Sequence, residues 1–246
     1  MKTEKPYMRK IVLFDLDDTL YPELSFVKSG YKAVSEYLVK KYPLMEERPV
    51  KDGDSSSAAV YEKLYGLFKE DPRRVFNRLL FEYDIAYEEK DIKELVKLYR
   101  EHKPSIELYP DALACLFKLK DMGCELGIIS DGYHVSQKNK LEALFPGKMN
   151  LFGRVILTDE LGREYYKPDC RSFIMMKEFF KTDWTDMIYV GDNPQKDFYI
   201  GNDYPILTVR LKKEGTVYEN SDYLEGIREK LSIGGLSELP EFVKRS

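Results

Sequence analysis

The chain predicts an α/β fold, in which a mostly parallel sheet is covered by helices on both faces and interrupted by one all-helical insert. Three observations carry this expectation. Short apolar runs alternate with amphipathic helical stretches through most of the chain. The rhythm breaks between Tyr21 and about Ser105, where helical patterns follow one another without a convincing strand. Polar and charged residues, chiefly aspartates, stand directly after several of the apolar runs.

The first run, Ile11 to Phe14, reads as a buried strand. The insert follows, with helical patterns over Val27 to Lys41, Ala58 to Lys69, Arg73 to Tyr83 and Glu88 to His102. Within it, Lys51 to Ala59 (KDGDSSSAA) is short, polar and rich in Gly and Ser, the signature of a loop. Asp111 to Met122 spaces Leu113, Leu116, Phe117 and Leu119 as a helix face and stops at Gly123, before a strand over Cys124 to Ile129. Val155 to Leu157, Met187 to Val190 and Ile206 to Val209 supply further strands. Arg171 to Phe180 is a helix whose Phe173, Met176, Phe179 and Phe180 read as core contacts. Beyond Leu211, loop signals mix with a short helix near Tyr223 to Leu231 that packs along the sheet edge. The expected division is residues 1–20 with 106–246 as a core and 21–105 as the insert.

At 246 residues, with 43% hydrophobic and 33% charged residues, the chain has the composition of a soluble globular protein. Its 43 acidic and 39 basic residues give a formal charge of -4, which offers no footprint for nucleic acid. Cys115, Cys124 and Cys170 form neither a CxxC motif nor an even disulfide set, so a reducing cytoplasm is expected. The charged N-terminus and the short apolar run after it suit neither a signal peptide nor a membrane span. A monomer or weak homodimer acting on a small molecule is expected.

Ligands of open parallel sheets gather beyond the carboxyl ends of the strands. Asp15 and Asp17 follow the first strand, Ser130-Asp131-Gly132 the second, and Gly191-Asp192-Asn193, then Asp197, the one ending at Val190; Lys167-Pro168 precedes a helix. Together these residues resemble the haloacid dehalogenase superfamily of phosphohydrolases. Its D-x-D-x-T motif falls on Asp15-Leu16-Asp17-Asp18-Thr19, its strand-closing Ser on Ser130, its lysine on Lys167, and its acidic fourth motif on Asp192 and Asp197. The resemblance implies a Rossmann-like core with an inserted helical cap of the C1 type. It also implies a phosphatase acting on a small phosphorylated metabolite, such as a sugar phosphate or nucleoside monophosphate.

The chemistry of the residues agrees. A carboxylate can attack phosphorus and split one difficult displacement into two easier ones, the role expected of Asp15. A hard divalent cation, Mg²⁺, neutralises the charge that would otherwise keep it from an anionic phosphate. Asp15 and Asp192 are the expected side-chain ligands; the resemblance implies the backbone carbonyl of Asp17 as another, with Asp197 nearby. The Asp17 carboxyl is then the general acid and base. Ser130 and the backbone amides of Asp131 and Gly132 form a phosphate cradle, and Lys167 offsets the negative charge.

Single residues also have plainer readings. Asp131, Asn193 and Asp197 could each cap a helix, Asp18 reads as solvent-facing or a cap, and Thr19 as a support for the loop. His134 either lines the pocket mouth or faces solvent, while His102 and Trp184 read as structural. The six-residue run Gly162 to Lys167 is longer than in close relatives of the family, and puts Tyr165 and Tyr166 either near the phosphate or under it. Tyr21, Phe26 and Arg78 are candidate pocket residues. A dehalogenase would lack the second aspartate, so Asp17 disfavours that reading. A phosphomutase or phosphotransferase would share all four motifs, and a non-catalytic interaction protein would not need them intact.

Overall fold

The structure, a computed structural model, describes residues 9–42, 45 and 56–245. Six strands form one parallel sheet: β1 (Ile11–Phe14), β2 (Glu125–Ser130), β3 (Phe152–Leu157), β4 (Met187–Gly191), β5 (Leu207–Leu211) and β6 (Leu231–Ile233), in the spatial order β3-β2-β1-β4-β5-β6. All four β1 residues are buried, as expected of a central strand covered on both faces. From β1 the sheet grows first to one side, through β2 and β3, and then to the other, through β4 to β6. That reversal opens a crevice at the carboxyl ends of β1 and β4. Phe14 pairs with Ile128 on one side and Val190 on the other. The register therefore brings Asp15, Ser130 and Asp192 out at one edge.

Nine α-helices occur among the described residues: α1 (Glu23–Lys41), α2 (Ser56–Glu70), α3 (Val75–Glu82), α4 (Glu89–Glu101), α5 (Ala112–Asp121), α6 (His134–Leu144), α7 (Arg171–Phe180), α8 (Ile200–Asp203) and α9 (Leu239–Arg245). Helix α7 packs on β2 and β3. Its Phe173 and Met176 join Ile11, Leu13, Ile129, Ile156 and Tyr189 in a buried cluster, each large side chain contributing about 1.5–3 kcal/mol by leaving water. Trp184 stacks on Tyr204 at 4.2 Å beside this cluster and anchors a loop, as its sequence context suggests. The other members of the predicted apolar faces divide. Phe117 and Phe179 lie about half exposed, and Phe179 carries the Arg154 guanidinium 5.0 Å from its ring centroid.

Gly127, in β2, is required by close approach. A Cβ there would lie 2.8 Å from Leu13 Cδ2 and 3.1 Å from the Arg154 carbonyl, which as backbone of the neighbouring strand cannot yield. Gly127→Ala is therefore expected to cost about 1–3 kcal/mol through overpacking. Urea unfolding checks this; an unchanged midpoint would remove the steric argument.

The chain divides into two compact units, 1–24 with 107–246, and 25–106. Tyr21 to Leu24 thus belong with the sheet rather than with the insert. The excursion begins and ends close together, because Tyr109 N–H donates to Leu20 C=O at 2.9 Å. The 25–106 unit holds helices and no strand among its described residues. Its centre is aromatic: Tyr31 lies 5.8, 6.1 and 5.3 Å (ring centroids) from Phe68, Phe76 and Tyr99. A capping box between Glu88 and Asp91 starts α4. The loop expected over Lys51 to Ala59 falls largely outside the described residues, and α2 already begins at Ser56.

The C-terminal stretch departs from expectation. The predicted helix near Tyr223 to Leu231 is a single 3₁₀ turn, Leu224–Gly226, and the chain then adds β6 to the sheet edge before α9. Glu225 and Gly226 both have positive φ, which a continuous right-handed helix excludes. No helix among the described residues is long and apolar enough to cross a membrane.

Candidate active site

Asp15 leaves β1 still in ladder, its N–H donating to Val190 C=O at 2.9 Å. Lys167 Nζ donates to Asp15 Oδ1 (2.8 Å) and to the Tyr189 hydroxyl (2.7 Å), and lies 2.8 Å from Asp197 Oδ1. The Tyr189 hydroxyl in turn donates to Asp197 Oδ1 at 3.0 Å. Burial pushes the Asp15 carboxyl up to about 6, against the pull of Lys167 and Lys196. For Asp197 the same two lysines outweigh burial and hold it below the ordinary carboxylate range. Lys167 is held above its usual value, since Asp15 and Asp197 outweigh the cost of burying its charge.

Asp192 completes the group. Ligand atoms of Asp15, Asp192 and Asp197 all lie within 4.8 Å of one another, and the three residues are buried. Burial, then repulsion from Asp197 and Asp15, pushes Asp192 up to about 9. Its Oδ2 is buried without a hydrogen-bond partner among the described residues. A buried, all-oxygen, like-charged set with an orphaned acceptor fits a hard divalent cation such as Mg²⁺. The carboxylates assembled are those of Asp15, Asp192 and Asp197, whereas the Asp17 side chain points elsewhere. Gly191 makes room, since a Cβ there would stand 2.5 Å from Asp197 Oδ2.

Asp17 is gripped from three sides. Tyr21 hydroxyl and Lys140 Nζ (2.7 Å) donate to its Oδ1, and Gln137 Nε2 (2.8 Å) to its Oδ2. Burial favours the neutral acid, but Lys140 and these hydrogen bonds outweigh it and hold the pKa low, so the resting side chain is ionised. Asp18 is not solvent-facing: it is buried, and its two oxygens accept the amides of Glu23 (2.8 Å), at the start of α1, and Val217 (3.0 Å). Thr19 is fully buried in the same loop.

Ser130 ends β2 fully buried, and its Oγ has no partner among the described residues. Gly132 follows with φ +110, a conformation suited to glycine. The Asp131 side chain faces inward: Oδ1 accepts Thr158 Oγ1 (2.8 Å) and Lys167 N–H (3.3 Å), while Oδ2 accepts Lys196 Nζ (3.1 Å). Asn193 and Asp197 fold the loop after β4, with Asn193 N–H donating to Asp197 Oδ2 at 2.9 Å.

The remaining candidates are structurally engaged. His134 is tethered to Asp159 through both its N–H and Nδ1 (2.9 Å each), and Tyr166 donates to Asp159 Oδ1 at 2.7 Å. Tyr165 lies under the Arg171 guanidinium, 3.8 Å away. Arg78 is occupied by the Leu67 and Asp71 carbonyls and by Glu70. Phe26 packs on Tyr99 and His102 inside the helical unit.

Five residues escaped the sequence reading: Gln137, Lys140, Tyr189, Lys196 and Arg210. Arg210, buried in β5, donates to the carbonyls of Asp192 (3.1 Å) and Tyr218 (3.0 Å) and so pins the loop after β4 to the loop after β5. Gln137 and Lys140 share one helix face, three positions apart, but polar residues at that spacing read as a solvated face.

The sequence profile described as Haloacid dehalogenase-like hydrolase matches residues 12–209. The chain belongs to this family. Haloacid dehalogenase-like relatives include a glyceraldehyde 3-phosphate phosphatase of Methanopyrus kandleri, 30% identical over 84% of this chain and 85% of its own. A phosphoserine phosphatase of Thermus thermophilus is 28% identical over 76% of this chain and 82% of its own. Among solved haloacid dehalogenase-like structures, a 2-haloacid dehalogenase from Pseudomonas syringae pv. Tomato superposes with a TM-score of 0.61 at 21% identity, covering 96% of this chain and 99% of that one. That likeness concerns the fold.

Proposed function

We propose that the chain is a Mg²⁺-dependent phosphatase that hydrolyses a small phosphorylated metabolite, a sugar phosphate or nucleoside monophosphate, through an aspartyl-phosphate on Asp15. The observation that carries this reading is the buried Asp15 set among Lys167, Asp192 and Asp197, on the same sheet edge as a Ser130 hydroxyl that has no partner among the described residues. The names of the Methanopyrus and Thermus relatives support the substrate class. The helical unit serves as the cap that sets selectivity, and the free cysteines suit the cytoplasm.

Asp15, Asp192 and the Asp17 backbone carbonyl would hold the Mg²⁺, with Asp197 beside them. Bound there, the ion neutralises carboxylate and phosphate charge. Ser130 Oγ and the amides of Asp131 and Gly132 receive the phosphoryl oxygens. An Asp15 oxygen attacks phosphorus as the ester P–O bond breaks, and the leaving oxygen takes a proton from Asp17. Asp17 takes up that proton from solvent water as the substrate binds, because an arriving phosphate anion raises its proton affinity. A water then attacks the phospho-aspartate, Asp17 takes its proton, and inorganic phosphate leaves with Asp15 regenerated. Tyr21, Gln137 and Lys140 hold Asp17 in place through both steps.

Phosphate release from a panel of phosphorylated metabolites, with and without Mg²⁺, tests the reading. Turnover indifferent to Mg²⁺ would overturn the mechanism, and inactivity toward every ester would overturn the function.

The carboxylate cluster also predicts a pH dependence. Asp192 titrates near 9 and Asp15 near 6 in the metal-free chain, both above the ordinary value of 3.8. Raised folded-state values mean that the folded chain holds extra protons. The stability they contribute is complete below the unfolded value and is lost as pH rises through the folded ones. The rise in Tm on adding Mg²⁺ is therefore expected to grow between about pH 6 and about pH 9, with protons released on binding. Calorimetric titration in buffers of different ionisation enthalpy checks this; a pH-independent Tm shift without proton release would contradict it.

A further inference from the structure

The two oxygens of the Asp17 carboxylate are unequally committed. Oδ1 accepts from the Tyr21 hydroxyl and from Lys140 Nζ (2.7 Å), which occupies both of its lone pairs. Among the described residues Oδ2 accepts once, from Gln137 Nε2 at 2.8 Å, and so keeps a lone pair. Oδ2 is therefore the oxygen placed to exchange protons with the reactants.

The Gln137 amide lies beside that oxygen and is itself only half used. Its Nε2 donates to Asp17 Oδ2 and to the Asp131 carbonyl, which occupies both amide hydrogens. Because both partners only accept, the amide cannot be turned over without setting oxygen against oxygen. Its Oε1 is buried with no hydrogen-bond partner among the described residues, on a residue 2% exposed. A buried acceptor without a donor is costly, so this one calls for a donor from outside the chain. The same amide packs on the phosphate cradle, since a Cβ at Gly132 would stand 2.9 Å from Nε2. An uncommitted acceptor thus lies an amide's width from the proton-exchanging oxygen, at the wall of the cradle.

We propose that Gln137 is a catalytic residue that selects water as the acceptor of the phosphoryl group. The attacking water directs one hydrogen to Asp17 Oδ2 and the other to Gln137 Oε1, which turns its lone pair toward phosphorus. Its oxygen bonds to phosphorus as the P–O bond to Asp15 breaks; the first hydrogen passes to Asp17 as a proton and the second stays on the departing phosphate. An alcohol has one hydroxyl hydrogen, commits it to Asp17 and makes no use of Oε1. This rests on the phosphatase reading and names, within it, the residue that favours hydrolysis over transfer to an alcohol.

Partition of the phospho-enzyme between water and methanol tests this, because methanol is water with one hydrogen replaced. The ester that the native chain turns over fastest is supplied with Mg²⁺ and methanol; inorganic phosphate counts hydrolysis and methyl phosphate counts transfer. Gln137→Met removes the whole amide. Gln137→Lys keeps a donor for Asp17 and the Asp131 carbonyl but has no acceptor. In both, the ratio of inorganic phosphate to methyl phosphate is expected to fall about tenfold or more. Unfolded molecules make neither product, so a loss of stability leaves the ratio untouched. A residue that only held Asp17 would slow both acceptors alike. An unchanged ratio in Gln137→Lys would therefore overturn the proposal and leave the phosphatase reading intact. A native chain that turns over no ester would overturn that reading, and the role of Gln137 with it.

Discussion

An Asp15→Asn chain is expected to release phosphate at least about 10⁴-fold more slowly than the native chain, the scale on which removal of a covalent nucleophile is felt. The amide keeps the shape of the carboxylate and can still accept from Lys167 Nζ, so the pocket survives while the attacking oxygen loses its charge. The substitution also relieves repulsion in a cluster whose Asp192 is pushed up to about 9 partly by Asp15. Folding stability without metal is therefore retained, which separates lost chemistry from lost structure. Steady-state phosphate release and thermal unfolding of the same preparation check both halves. Full activity in Asp15→Asn would end the aspartyl-phosphate mechanism.

Asp17→Asn is expected to lower turnover by about 10²–10⁴, the usual contribution of a positioned acid and base. The size of the loss depends on the leaving group. An aryl phosphate, whose leaving oxygen needs no proton, passes the first displacement and stalls at the second, so a burst followed by accumulation of phospho-Asp15 is expected. An alkyl phosphate stalls at the first step and shows no burst. Rapid-quench detection of the acid-stable, base-labile acyl phosphate distinguishes the two. Equal turnover of both esters at the native rate would remove Asp17 from the mechanism.

The parts of this site that could be read from sequence are those that follow an apolar strand directly. Asp15, Ser130 and Asp192 each sit one step beyond, or at the end of, a buried run, and parallel register does the rest. Lys167 and Asp197 were readable through their spacing within the family pattern. Gln137 and Lys140 were not, because α6 buries polar residues, Ser136, Gln137 and Lys140, on the face that ordinarily carries apolar ones. Their burial is conferred by Asp17, more than a hundred positions earlier in the chain, with separations of 120 and 123. Lys196 was hidden for a similar reason: within Asn193-Pro194-Gln195-Lys196 it resembles any solvated turn until Asp131 is brought beside it. Strand β6 has three residues with only Ile233 fully buried, too little pattern to separate from a loop.

The hydrogen bond from Tyr109 N–H to Leu20 C=O bears on how such a protein diversifies. It pins the two ends of the helical excursion together from the side of the sheet, so the sheet meets the excursion as a closed loop of arbitrary content. The entropy of closing a loop rises only logarithmically with its length. The segment can therefore lengthen, shorten or be exchanged wholesale over generations at a cost of about 0.6 kcal/mol per doubling, without disturbing the strand that delivers Asp15. The sheet that carries Asp15 and the helical excursion are thus inherited as separable modules, free to change at different rates.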